Sequence, residues 1–130
     1  MTMYYPSGLS AGGMFLRTDD GSVMSANFAF CDASAQGNTQ LVPTQGAGVA
    51  IRVLGLVVIA DTTVVARLQQ SVSGVTYNIT AGNSVAANGG WVMPFSPVGW
   101  CVSSPNGSIN LNLNNAVVTG ATCIWIPSVV

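Results

Sequence analysis

The chain has 130 residues, 49% of them hydrophobic and only 5% charged, about a fifth of the charged share of an ordinary soluble protein. Its charged side chains are Arg17, Asp19, Asp20, Asp32, Arg52, Asp61 and Arg67, with no Lys, Glu or His. That set lacks most general bases, proton shuttles and metal ligands, and so argues against an enzyme or a cofactor site. A net charge of −1 with three scattered arginines cannot neutralise a run of phosphates, which argues against a nucleic-acid partner.

The length fits one domain. Mean hydropathy is high at +0.51, yet the longest apolar run, Val49 to Ala60, is broken by Arg52 and is shorter than the ~20 residues of a membrane-spanning helix. The start, Met1-Thr2-Met3-Tyr4-Tyr5-Pro6, has no basic region followed by an apolar one, so no secretory signal is read there and synthesis in a cytosol is expected. Cys31, Cys101 and Cys123 are odd in number and widely spaced, which fits small buried apolar residues better than a disulfide framework or a zinc knuckle.

Residues 1–43 are rich in Gly, Ser, Ala, Asn and Gln, with aromatics that follow no sustained period of 2 or 3.6. They read as an extended N-terminal arm lying along another surface, with Tyr4, Tyr5, Met14, Phe15, Phe28 and Phe30 as its contact residues. Within it, Met14 to Val23 reads as a hairpin turning at Asp20-Gly21, a pair that tolerates the positive φ angles of a type I′ turn.

Residues 44–130 read as a β domain. Val49 to Ala60 is a long strand with Ile51, Val53, Val57 and Ile59 on one face and Leu54, Leu56, Val58 and Ala60 on the other, so both faces need cover. Thr62 to Gln70 follows as a strand after a turn at Asp61. Val75 to Thr80 alternates as a half-buried strand after a turn at Ser73-Gly74. Ala86 to Gly90 is a turn leading into Trp91 to Phe95, and Gly99 to Val102 and a turn at Pro105-Asn106-Gly107 come next. Ser108 to Asn114 alternates without a break, placing Ile109, Leu111 and Leu113 on one face and Asn110, Asn112 and Asn114 on the wet one. Ala121 to Pro127 closes the sheet, with Cys123 and Trp125 opposite Thr122, Ile124 and Ile126.

Seven or eight short strands at this spacing predict an all-β, jelly-roll-like antiparallel β-sandwich. A body of about 85 residues buries only about 60% of its unfolded surface, so surplus apolar side chains are expected at a subunit interface. Arg52, Leu54, Leu56, Trp91, Phe95 and Trp100 are the candidates, with Arg52 paired to Asp61 or to an aspartate of another subunit, or with its stem buried and its head in solvent.

Little else in the chain suggests chemistry. Asp19 and Asp20 beside Gly21 are turn residues sooner than a glycosidase pair, and the calcium-loop fragment Asp19-Asp20-Gly21-Ser22 lacks its closing Glu. Three cysteines without a histidine form no nucleophile pair. Trp91, Trp100 and the face of Asn110 to Asn114 form an alternative, a glycan- or receptor-binding module of a virion tip or fibre.

Four stretches also carry a resemblance. Ile51-Arg52-Val53-Leu54, Ser84-Val85-Ala86-Ala87-Asn88-Gly89-Gly90, Pro94-Phe95-Ser96-Pro97-Val98-Gly99-Trp100, and Leu111-Asn112-Leu113 with Ala116-Val117-Val118-Thr119-Gly120 together resemble the small head decoration, or cement, proteins of tailed phages. The resemblance implies a jelly-roll-like sandwich without catalytic residues that trimerises and sits on the outer surface of the capsid, against the major capsid protein, at local three-fold positions. It covers the stretch from Ala50 to the C-terminus, members of that family beginning near where Thr44 falls, and leaves residues 1–43 unmatched.

Overall fold

The computed structural model describes residues 15–17 and 23–129, with side chains from 26 to 128. In chain order the elements are β1 (Phe15–Arg17), β2 (Val23–Ser25), β3 (Asn27–Ala33), β4 (Gly37–Val42), β5 (Val49–Ala60) and β6 (Val64–Val72). They continue as β7 (Val75–Asn78), β8 (Asn83–Val85), β9 (Gly90–Met93), β10 (Cys101–Val102), β11 (Ser108–Leu113) and β12 (Thr119–Val129). Among the described residues there is no helix.

Two antiparallel five-stranded sheets face each other. Sheet one runs β3-β12-β5, with β9 and β10 end to end along the far edge of β5; sheet two runs β4-β11-β6, with β7 and β8 end to end along the far edge of β6. With each end-to-end pair taken as one interrupted strand, the order is first, eighth, third, sixth against second, seventh, fourth, fifth. That is the wrapping of a jelly roll. The core between the sheets holds Ile51, Val53, Leu56 and Val58 of β5, Ala66 and Leu68 of β6, Ile109, Leu111 and Leu113 of β11, and Cys123 and Trp125 of β12.

Local chemistry accounts for the turns. Val72 pairs with Val75 across Ser73-Gly74, whose φ angles of 51° and 81° are those of a two-residue type I′ turn matched to strand twist. Asn88 and Asn106 also take positive φ, 55° and 61°, where the sequence places turns. Of the hairpin in the first segment, β1 pairs with β2, but the register sets Arg17 opposite Val23, one residue away from what a two-residue Asp20-Gly21 turn dictates; the turn itself lies outside the described residues.

Three expectations are corrected. First, β3 and β4 are outer strands of the two sheets, so the sandwich takes in residues that the sequence assigns to an arm ending at 43. The strand signal of β3 is inverted: small Ala29, Cys31 and Ala33 point inward while Phe28, Phe30 and Asp32 point out. Second, β5 does not keep strict alternation. Gly55 pairs with Ile124 and Val53 with Trp125, so Leu54 is an extra residue, a β-bulge that shifts the parity by one. Ile51 and Val53 before it and Leu56, Val58 and Ala60 after it therefore all face the core, while Val57 and Ile59 face out. Third, β7 is exposed along its whole length, not half-buried.

Candidate functional site

The outer faces of the two sheets differ in kind. On sheet two, cross-strand rows bring amides and hydroxyls together: Gln40, Asn110, Gln69 and Asn78 in one row, Asn38, Asn112 and Arg67 in the next. Asn112 Nδ2 donates to Asn38 Oδ1 at 2.8 Å, Gln69 Nε2 to Asn78 Oδ1 at 2.6 Å, and Asn110 Nδ2 to Ser71 Oγ at 2.9 Å. These bonds link the side chains across strands, and Asn110 is buried rather than wet.

The outer face of sheet one is apolar. Phe28 and Phe30 stand on β3 at 65% and 76% exposure, and Val57, Ile59 and Val92 are also exposed. The pairing places Phe30, Thr122, Val57 and Val92 in one cross-strand row, and Phe28, Ile124 and Gly55 in the next. A groove of about 650 Å³ runs over this face between Phe30 and Ile59, floored by Gly120 and Thr122. A second hollow of about 220 Å³ lies between Phe28, Val92 and Phe95. At the other end the face is closed by a small cluster of Ala26, Leu54 and Ile126, with Ile124 packed against it.

Residues 94–100 hook onto the bulge. Ser96 N donates to Leu54 O at 2.8 Å and Trp100 N to Val53 O at 2.8 Å, so the segment carries the hydrogen bonding of this edge of β5 across the gap between β9 and β10. Trp100 Nε1 donates back to Pro94 O at 2.6 Å, closing the loop on itself. Arg52 Nη1 donates to Val98 O at 2.8 Å, its Nε is buried without a partner, and its stem lies under Gly99. Asp61, nine residues further along the chain and just past the end of β5, is ~30 Å away at the rise of a strand, so the intrachain pair with Arg52 does not form.

The expected contact residues therefore separate. Phe28 and Phe30 are exposed side by side and share their face with Phe95. Leu54 and Leu56, expected at a subunit interface, are buried within the chain at 0% and 2% exposure, because the bulge and the overlying cluster enclose one and the core takes the other. Trp91 is half-buried against the core, since β9 turns Trp91 and Met93 inward and Val92 outward. Trp100 is half-exposed beside β5, and the Asn110 to Asn114 stretch belongs to the other sheet, so the two halves of the glycan site are not brought together. Tyr4, Tyr5 and Met14 lie outside the described residues, as does the side chain of Phe15. Val57, Ile59, Val92, Val118 and Thr122 were not singled out by the sequence; the signal for Val57 and Ile59 is their alternation, once the bulge is known.

The thiols are free. Burial pushes Cys101 up to about 11 and Cys123 up to about 12, and Cys31 is raised by burial and then by the neighbouring Asp32 carboxylate. All three are held as neutral thiols at physiological pH, the opposite of what a nucleophile or metal ligand needs. Among the described residues no group of three or more His, Cys, Asp or Glu is placed to hold a metal ion, and no helix is long and apolar enough to cross a membrane. Comparison with family models, curated proteins and solved structures finds no match to this chain.

Proposed function

We propose that the chain is a non-enzymatic structural protein of a virion, a decoration protein that binds the outside of a tailed-phage head as a trimer and stabilises the capsid lattice. The observation that carries this reading is the apolar outer face of sheet one, with Phe28, Phe30, Val57, Ile59 and Val92 exposed together on a jelly-roll body. Such a face serves burial against protein, and burial at ~25 cal/mol per Å² over repeated interfaces holds a lattice without specific chemistry. The resemblance of four stretches between Ile51 and Gly120 to phage cement proteins supports the choice of partner, the major capsid protein.

The test is cosedimentation of the purified chain with expanded heads of the virus whose genome encodes it. Saturable binding that changes little between low and high salt is expected, because 5% charged residues leave little Coulomb attraction to screen. Absence of binding at both salts refutes the reading, and binding that collapses with added salt refutes its apolar mechanism.

A further inference from the structure

We infer that the outer face of sheet one is where copies of this chain meet. The inference deepens the oligomeric part of the proposed function: it assigns this face to contacts between subunits, so that contact with the capsid falls to the rest of the trimer's surface.

Shape is the first reason. In the row Asp32-Gly120-Ile59 and the row Phe30-Thr122-Val57, β12 contributes small residues between large ones on either side. Phe28 and Phe30 thus form a ridge along β3, and Gly120 and Thr122 the floor of the groove beside it. Each chain carries both ridge and groove, so the ridge of one copy can enter the groove of the next around a closed ring, as a trimer requires. No other protein is required to supply the complement.

Area is the second. Phe28, Phe30, Val57, Ile59, Val92, Phe95 and Val118 are exposed by 37% to 76%. With an aromatic side chain at about 200 Å² and the aliphatic ones somewhat less, they offer roughly 700 Å² of apolar surface. That exceeds the few hundred Å² usual on a monomer and approaches the ~800 Å² that each partner gives to a standard interface.

Charge is the third. Asp32 and Asp61 lie at one end of the groove, and among the described residues no Arg lines it or the adjoining hollow. A basic or acidic partner finds no row of opposite charges there; an equally apolar face does. Sheet two, with its amides already bonded to each other, offers no competing apolar surface of this extent.

Light scattering of the full chain over a dilution series tests this, with Thr122→Lys and Phe30→Ser in sheet one and Thr76→Lys on the exposed rim of sheet two. The unaltered chain is expected at a multiple of 13.3 kDa, and Thr76→Lys at the same mass. Thr122→Lys places an unpaired charge in the groove floor and is expected to weaken association by roughly 100-fold or more, with the circular dichroism of the fold retained. Phe30→Ser removes the ridge from an exposed position and decides the matter if the lysine variant does not fold. A single-chain mass for the unaltered protein overturns the inference together with the trimer. A multimer unaffected by both sheet-one changes overturns the surface assignment alone and leaves the trimer standing.

Discussion

Arg52 in the centre strand of sheet one donates from Nη1 to the carbonyl oxygen of Val98 at 2.8 Å, and this bond ties β5 to the loop of residues 94–100. The guanidinium is thus occupied by a neutral backbone acceptor, while its Nε is buried without a partner. Arg52→Ala removes both the bond and the stem packed under Gly99 and is expected to cost about 1–2 kcal/mol in urea unfolding. Arg52→Met keeps the stem and deletes the unpartnered Nε, so it should cost less than about 1 kcal/mol. Asp61→Asn should combine additively with either change; coupling above ~0.5 kcal/mol would show an ion pair that the geometry denies.

Gly99 sits at φ +92°, and a Cβ built there meets Arg52 Cγ at 2.7 Å and Cδ at 3.1 Å. Gly99→Ala is expected to destabilise the fold by about 1–3 kcal/mol, from a conformation that favours glycine and from the clash. Much of the clash disappears with the Arg52 stem, so the penalty should be smaller when measured in the Arg52→Ala background.

The thiols set a limit on stability at high pH. Their folded pKa values lie above the ordinary 9.0, at about 11 for Cys101 and about 12 for Cys123, so between pH 9 and 12 the unfolded chain loses these protons first. Stability is therefore full below pH 9 and falls as the pH rises through that window, by up to ~1.4 kcal/mol per unit for each thiol. Denaturant midpoints at pH 8, 9 and 10 should be level and then decline, and the decline should shrink in Cys123→Ala. In the native protein at pH 8 a thiol reagent such as iodoacetamide should label little until denaturant is added.

On sheet two, Asn110 and Asn112 face the same way but differ in burial. Asn110 is 5% exposed and donates to the Oγ of half-buried Ser71, so Asn110→Ala removes a shielded hydrogen bond together with the packing of the amide and should cost about 1–2 kcal/mol. Asn112→Ala breaks a more exposed amide pair with Asn38 and should cost less than about 0.5 kcal/mol. Equal losses in thermal or urea unfolding would contradict the burial difference.

Much of the fold was legible because its signals are local. Ser108–Leu113 shows as a strand from Ile109, Leu111 and Leu113 alone, and Ser73-Gly74 shows as a turn from the φ angles that its residues tolerate. The N-terminal boundary was not legible. In β3 the inward positions hold Ala29, Cys31 and Ala33 and the outward ones phenylalanines, so a reader seeking large apolar residues inside finds the wrong face, or no strand.

The candidate surface was legible only in pieces. Composition gave the expectation that apolar side chains exceed what so small a body encloses, and the near absence of charge the expectation that shape and burial, not ion pairs, carry the contacts proposed for it. Tertiary structure decided which side chains those are. The bulge at Leu54 changes the face on which every later residue of β5 stands, and bulges arise from pairing with another strand, here β12. Phe30 and Val57, 27 residues apart, become next-but-one neighbours only because Thr122 pairs with both. Alternation and turn chemistry act over a few residues and can be read along the chain; register between distant strands depends on which surfaces pack together, and only the folded chain determines that.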